Sequence, residues 1–378
     1  MQKIYFDSAA TTAIDKDVIS IITKTMESTY GNPSSSHQFG RSARALVEQS
    51  RKKIAQILNC SATEIVFTAG GSEADNLILF NAVKNLGVKR IITSSIEHHA
   101  ILHTIKVLEN DFGVIVDYVD LDENGEIDLA HLTFLIEDQT YKTLVSLMLV
   151  NNELGNILDI DKIVEICKKN NALFHSDTVQ GIAHVPIDLQ KTPIDFIAAS
   201  AHKFHGPKGV GFAVFKKGFG ISPLLHGGEQ ERGARAGTEN IHSIIGMEKA
   251  LSIATDHFDE HKMYINDLKQ YFIIKLKENF KDISFNGRSD DLEKSAFHIL
   301  NVRFNKDYPM LLFSLDLKGI AVSGGSACQS GSNKGSHVLN AILTEKESLK
   351  TSVRFSFSKY NTKDEIDYVI EVLKGIIA

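Results

Sequence analysis

No run of the 378-residue sequence is long and apolar enough to cross a bilayer, and the opening Met1-Gln2-Lys3-Ile4-Tyr5 does not read as a signal peptide. Surplus charge is missing too. Lys and Arg number 41 against 47 Asp and Glu, a net charge of −6 with a pI near 6.2, which speaks against a nucleic acid or another polyanion as partner. Cysteine is scarce: Cys60, Cys167 and Cys328 form an odd set without metal-ligand spacing, as expected in a reducing compartment. Neither an internal repeat nor a low-complexity stretch is visible. These absences leave the expectation of a soluble, cytoplasmic protein, of about two domains by its length.

What is present is alternation. Val18, Ile21, Ile22 and Met26 recur at helical spacing within residues 14–30, with Asp15 as a cap. After the loop Gly31-Asn32-Pro33-Ser34-Ser35-Ser36-His37, helical periodicity returns over 41–58. Strands are predicted at 64–68, 90–93, 114–119, 143–150 and 172–176, and on either side of Lys203 at 194–199 and 209–215. Helices are predicted between them at 72–86, 99–109, 129–136 and 160–169. Nearly continuous apolar strands alternating with helices predict an α/β domain whose mostly parallel sheet is covered on both faces. From about residue 240 a long helical region runs to 280, and the mixed strands and helices after it suggest a smaller α+β domain.

Ligands of such sheets gather outside the carboxyl ends of the strands, and the polar residues fall there. Gly70-Gly71-Ser72, at a strand-to-helix turn, suits a phosphate at the helix N-terminus, although Ser72 with Asp75 equally suits capping. Asp177 either caps a turn or, if buried, holds a cationic ring nitrogen. His98 and His99 are adjacent, so only one can face inward, where it would stack on a planar ligand. Lys203, in Ser200-Ala201-His202-Lys203, is either a solvated lysine or an amine that forms Schiff bases. Arg354 shares a strand face with Ser352 and Ser356, either holding a carboxylate bidentately or lying on a solvated face. Cys328 sits in a Gly/Ser-rich stretch, 323–335, expected to be exposed and mobile, which favours a reactive thiol that travels. Cys60 and Cys167 are expected to be structural.

Together these residues resemble a known family. Gly71-Ser72, Asp177 with Gln180, Ser200-Ala201-His202-Lys203 and Thr238 match the pyridoxal-phosphate pattern of class V aminotransferase-fold enzymes. Phe6-Asp7-Ser8-Ala9-Ala10-Thr11-Thr12, Gly31-Asn32-Pro33-Ser34-Ser35, Glu97-His98, Asn151-Asn152-Glu153, Gly227-Gly228-Glu229-Gln230-Glu231, Arg235-Ala236-Gly237-Thr238 and Ser326-Ala327-Cys328 narrow the resemblance to cysteine desulfurases of the NifS/IscS type. It covers the chain from about residue 4 onward.

The resemblance implies aminotransferase fold type I, with a large cofactor-binding domain over 15–245 and a small domain made of 1–14 and 246–378. It implies that Lys203 holds pyridoxal 5'-phosphate through a Schiff base and moves the substrate Cα proton. Asp177 would pair with the pyridine nitrogen, Gln180 would bond the ring hydroxyl and His98 would stack on the ring. Gly71, Ser72, Ser200 and His202 would hold the phosphate, with Thr238 reaching in from the second subunit of a homodimer. Asn152, beside the cofactor, and Arg354 would take the carboxylate of L-cysteine. Cys328 would attack the substrate sulfur, leaving alanine and a persulfide for an acceptor such as an iron–sulfur scaffold, and would transiently ligate an iron–sulfur cluster. Gly71 stands where Ala is common, a difference expected to remove only a methyl group. The alternatives are a selenocysteine lyase, an aminotransferase of the same fold, which would not need Cys328, and a catalytically silent sulfur-transfer scaffold. An intact Lys203, Asp177, His98 and Cys328 set weighs against the last.

Overall fold

The computed structural model describes residues 3–324 and 335–377. The chain opens on a two-residue strand, β1 (Ile4–Tyr5), followed by helices α1 (Lys16–Ser28) and α2 (Gln38–Leu58). Then β2 (Ile65–Thr68), α3 (Gly71–Lys84), β3 (Arg90–Thr93), α4 (His99–Phe112), β4 (Ile115–Tyr118), α5 (Leu129–Glu137), β5 (Thr143–Ser146), α6 (Ile160–Lys169) and β6 (Leu173–Asp177) alternate as expected. Two further strands, β7 (Phe196–Ser200) and β8 (Gly211–Phe215), flank Lys203. The seven strands form one sheet in the order β2-β8-β7-β6-β5-β3-β4, in which only β8 runs against its neighbours.

The two-residue period decides which side each strand residue covers. Ile65 and Phe67 of β2 pack with α1, α2, α5 and α6, whereas Val66 between them packs with α3 and α4 on the other face. Both faces of the sheet are covered except at edge strand β4, where Ile115 and Tyr118 are exposed, and the carboxyl ends of the parallel strands all open on one rim.

Beyond the sheet come α7 (Ile241–Asp256) and α8 (Phe258–Asn279), which break the predicted long helix at His257. The expected domain boundary at 245/246 falls inside α7, whose buried face through Leu251 belongs to the first core. A three-stranded antiparallel sheet follows, of order β12-β10-β9, from β9 (Ser284–Phe285), β10 (Ile299–Arg303) and β12 (Ser352–Ser356). Between β10 and β12 lie α9 (Leu311–Leu317), β11 (Ile320–Ala321), α10 (His337–Ile342) and α11 (Glu345–Ser348), and α12 (Lys363–Ile377) closes the chain. This second core joins β10 and β12 to α8 and α12 around Phe6, Phe272, Phe355 and Phe357. Phe6 belongs to it because β1 pairs in parallel with β11, and Asp7 bridges to Ser356. The N-terminal segment thus crosses to the far end of the chain.

Two elements depart locally from expectation. Helix α2 begins at Gln38, not 41, because the His37 ring caps it, Nδ1 accepting from the Gly40 N–H at 3.3 Å. Strand β5 stops at Ser146, not 150, although the Leu147 and Leu149 N–H groups still donate to the β6 carbonyls of His175 and Asp177 at 3.1 and 2.9 Å, and the side chains of Leu149 and Val150 pack with Ala9, Ala296 and Ile299.

Candidate active site

Five strand ends and the N-terminal segment surround a cavity of about 600 Å³. Its lining includes Gly71, Ser72, His98, Asn152, Asp177, Gln180, Ser200, His202, Lys203 and Arg354. Of the residues expected at the site, Thr238 lies elsewhere, in a neighbouring cavity of about 190 Å³ behind Ala69 and Gly209. Cys328 lies outside the described residues.

One end of the cavity is a helix start. Gly70, the N-cap of α3, has no side chain to satisfy the first-turn N–H groups, so those of Gly71, Ser72 and Glu73 stay available beside the positive end of the helix dipole. Ser200, at the end of β7, lies alongside: a methyl on Gly70 would come 3.4 Å from its hydroxyl. His202 completes this end, its Nδ1 paired with Thr11 Oγ1 at 3.1 Å, and its pKa falls to about 4 through burial and the nearby Lys203 and Lys208 charges.

At the centre, the turn after β7 (Ala201–Lys203) delivers Lys203, whose ammonium donates to the carbonyls of Ala9 and Ala10 at 2.6 and 2.9 Å. Asp177 ends the neighbouring β6. It is buried, and its Oδ1 accepts from the Val179 N–H at 2.9 Å. Burial pushes its pKa up to about 6, against the pull of that hydrogen bond and of Lys203. Two more buried carboxyls lie close by: Asp75, expected from the sequence only as a capping partner, and Glu97, expected only as a member of the Glu97-His98 motif. Burial and the neighbouring acids raise Asp75 well above its ordinary value, and burial raises Glu97 to about 8. The Nε2 of buried His175 faces Asp75 Oδ1 at 3.5 Å.

His98 is the inward member of the histidine pair. As N-cap of α4 its Nδ1 accepts from the Ala100 N–H at 3.1 Å, which places the proton of the neutral ring on Nε2. Burial first, then the Lys203 charge, lowers its pKa to about 4, so the ring is neutral at pH 7. His99 turns away and packs against the His103 and His337 rings.

The far end carries Arg354, 1 % exposed on β12. Its Nη1 donates to the Asn152 carbonyl at 2.7 Å and its Nη2 to Asp7 Oδ1 at 2.9 Å, while its buried Nε has no partner among the described residues. Asp7 also accepts from Ser323 Oγ at 2.9 Å. A guanidinium fixed in this way, with an N–H to spare, suits a carboxylate.

A lysine amine, a buried ionisable carboxylate, an uncapped helix start and a fixed guanidinium now stand around one cavity. The class-V aminotransferase family model matches residues 4–369. The chain is 39 % identical to the cysteine desulfurase IscS of Dictyoglomus turgidum, over 100 % of this chain and 95 % of that protein. The chain belongs to this family, among its cysteine desulfurases. A solved NifS-like protein superposes with a TM-score of 0.90 at 36 % identity, covering 100 % of this chain and 99 % of the other. A structure of SspA in complex with cysteine superposes at 0.81 with 32 % identity, covering 95 % and 100 %. The α/β fold and the expected family are thus both borne out.

The cofactor of this desulfurase family member is pyridoxal 5'-phosphate, and the residues fit it. The uncapped α3 N-terminus with Ser200 matches a phosphate group, and the buried Asp177, with one oxygen not engaged by Val179, matches a ring nitrogen that carries a proton. One sequence expectation needs correction. Gly71 is more than an alanine without its methyl: a Cβ there would lie 2.5 Å from Val179 Cγ2, so the valine occupies that space. The described helices include none long and apolar enough to cross a membrane.

Proposed function

We propose that the chain takes sulfur from L-cysteine, leaving L-alanine, and passes it as a Cys328 persulfide to an acceptor protein such as an iron–sulfur scaffold, working as a cytoplasmic homodimer. The meeting of Lys203, Asp177 and His98 at one cavity, between an uncapped helix start and Arg354, carries this reading. The bound cysteine named for the SspA structure supports the substrate.

Pyridoxal phosphate, when bound, supplies an electron sink conjugated to the substrate Cα. Gly71, Ser72, Ser200 and His202 hold its phosphate, and Asp177 keeps its ring nitrogen protonated through an ionised carboxylate. His98 covers the ring as a neutral imidazole with its proton on Nε2. Arg354, with Asn152 at its side, fixes the substrate carboxylate and thereby aims the Cα proton at the Lys203 amine. That amine takes the proton as a base and returns it.

The Cys328 thiolate then attacks the substrate sulfur. A sulfur–sulfur bond forms, the carbon–sulfur bond breaks with its electron pair left on carbon, and that carbon takes up a proton to become the methyl group of alanine. Thr238, outside the cavity of its own chain, serves the partner's phosphate site in the homodimer.

The test measures alanine and sulfide formed from L-cysteine in the presence of a thiol reductant. Cys328→Ala should abolish both while the protein remains yellow. Undiminished alanine formation would show that another group accepts the sulfur.

A further inference from the structure

Gln180 lies three residues beyond Asp177, yet its side chain is held by the smaller unit. Its Nε2 donates to the Ala9 carbonyl at 2.8 Å, and its Oε1 faces His298 Nε2 at 3.3 Å. Turning the amide over would set its oxygen against the Ala9 carbonyl oxygen, so the contact with Ala9 fixes which way it points. Oε1 therefore needs a donor, and His298 must carry its proton on Nε2. The other ring nitrogen, Nδ1, has no partner among the described residues.

His298 is 2 % exposed and precedes β10, with its carbonyl tied to the Phe357 N–H at 2.9 Å. Its ring stacks on His184 at 3.8 Å between centroids and 21° between planes, and His184 Nδ1 donates to the Gln180 carbonyl at 3.1 Å. Two imidazoles that close and nearly parallel cannot both carry charge, and burial holds both far below the ordinary histidine range, so both rings are neutral. The amide of Gln180 has two N–H donors and one oxygen acceptor. With the oxygen turned to His298 and one N–H held by Ala9, the other N–H is what the amide presents to the cavity it lines.

We propose that His298, seated on His184, is a positioning residue that keeps Gln180 presenting a hydrogen-bond donor, never an acceptor, to the ring oxygen of the cofactor. This rests on the reading that Gln180 meets that oxygen. A donor there favours the deprotonated oxygen, so His298, which does not itself line the cavity, tunes the cofactor electronically through Gln180.

The experiment follows the visible absorption band of the holoenzyme against pH, together with the affinity of the apoprotein for pyridoxal phosphate. His298→Leu should raise the midpoint of the band's pH transition by about one unit, a tenfold change in the protonation equilibrium. It should also weaken cofactor binding several-fold. His298→Gln, which restores an N–H donor, should bring the midpoint back towards wild type. Gln180→Ala should give the same rise, with no further rise in the double variant. An unmoved midpoint in His298→Leu, beside a raised one in Gln180→Ala, would overturn the role of His298. An unmoved midpoint in Gln180→Ala would overturn the underlying reading of Gln180 and this inference with it. Should His298→Leu fail to fold, His298→Asn, too short to reach Oε1, carries the same expected rise and the same refutation.

Discussion

Gly71→Ala is the smallest change that tests the packing under the phosphate site. The added methyl would lie 2.5 Å from Val179 Cγ2 and 3.6 Å from Ser200 Cβ. Carbon atoms rest about 3.5–4.0 Å apart, so the valine must retreat by about 1 Å while the serine need not move. Overpacking of this kind costs roughly 1–3 kcal/mol. Alanine regains part of the roughly 1 kcal/mol by which it outranks glycine in a helix, since the site is the first residue of α3. A net loss of about 1–2 kcal/mol is expected. Val179→Ala removes two partly exposed methyls, at about 1 kcal/mol. In the double variant the new methyl moves into the vacated space, so the two losses should fall short of their sum by about 1–2 kcal/mol. Urea unfolding of the four apoproteins measures this coupling, and pyridoxal-phosphate affinity should follow the same pattern. Losses that add to within about 0.5 kcal/mol would refute the contact.

Two further predictions concern buried cations. Lys269, 0 % exposed on α8, donates to Ser295 Oγ and the Ala296 carbonyl, and burial lowers its pKa from 10.5 to about 7. A folded-state pKa below the unfolded one means that its contribution is most favourable above 10.5 and is lost as pH falls towards 7. Lys269→Met should therefore stabilise the protein at pH 6 by on the order of 3 kcal/mol, with the advantage fading towards pH 10. A difference independent of pH in urea titrations would contradict this. Arg354→Lys keeps the charge but loses the fork between Asp7 and Asn152. KM for L-cysteine should rise about tenfold with a smaller change in kcat, the signature of weakened carboxylate binding, and an unchanged KM would remove Arg354 from the substrate site.

The rim of the sheet was legible because apolar strands end on Gly and polar residues in a period that chemistry rarely leaves to chance. Gly70-Gly71-Ser72, Asp177 and Lys203 each follow such a run, and the sheet brings them to one cavity. The layer behind them was not legible. Asp75 lies in α3 and reads in sequence as an ordinary helix acid, yet it is 1 % exposed beside Asp177. Nothing local distinguishes His298 from a strand-edge histidine, because its partners His184 and Gln180 are more than a hundred residues away. Likewise the break at His257 separates helices that pack on different cores, which periodicity alone does not register.

The clasp of the N-terminal segment has a consequence for how the molecule is made. The two carbonyls that receive the Lys203 ammonium belong to Ala9 and Ala10, and the Ala9 N–H is tied to Ser356 Oγ at 2.8 Å. Asp7 grips Arg354. During synthesis the first dozen residues leave the ribosome early, but their partners leave almost last. The seven-stranded sheet can assemble from contacts nearer in sequence, whereas the catalytic pocket closes only after a loop of nearly the whole chain has been joined, a slow kind of contact to form. A chain lacking β12 would present Lys203 without the Arg354 and Ser356 contacts that hold the N-terminal segment against it.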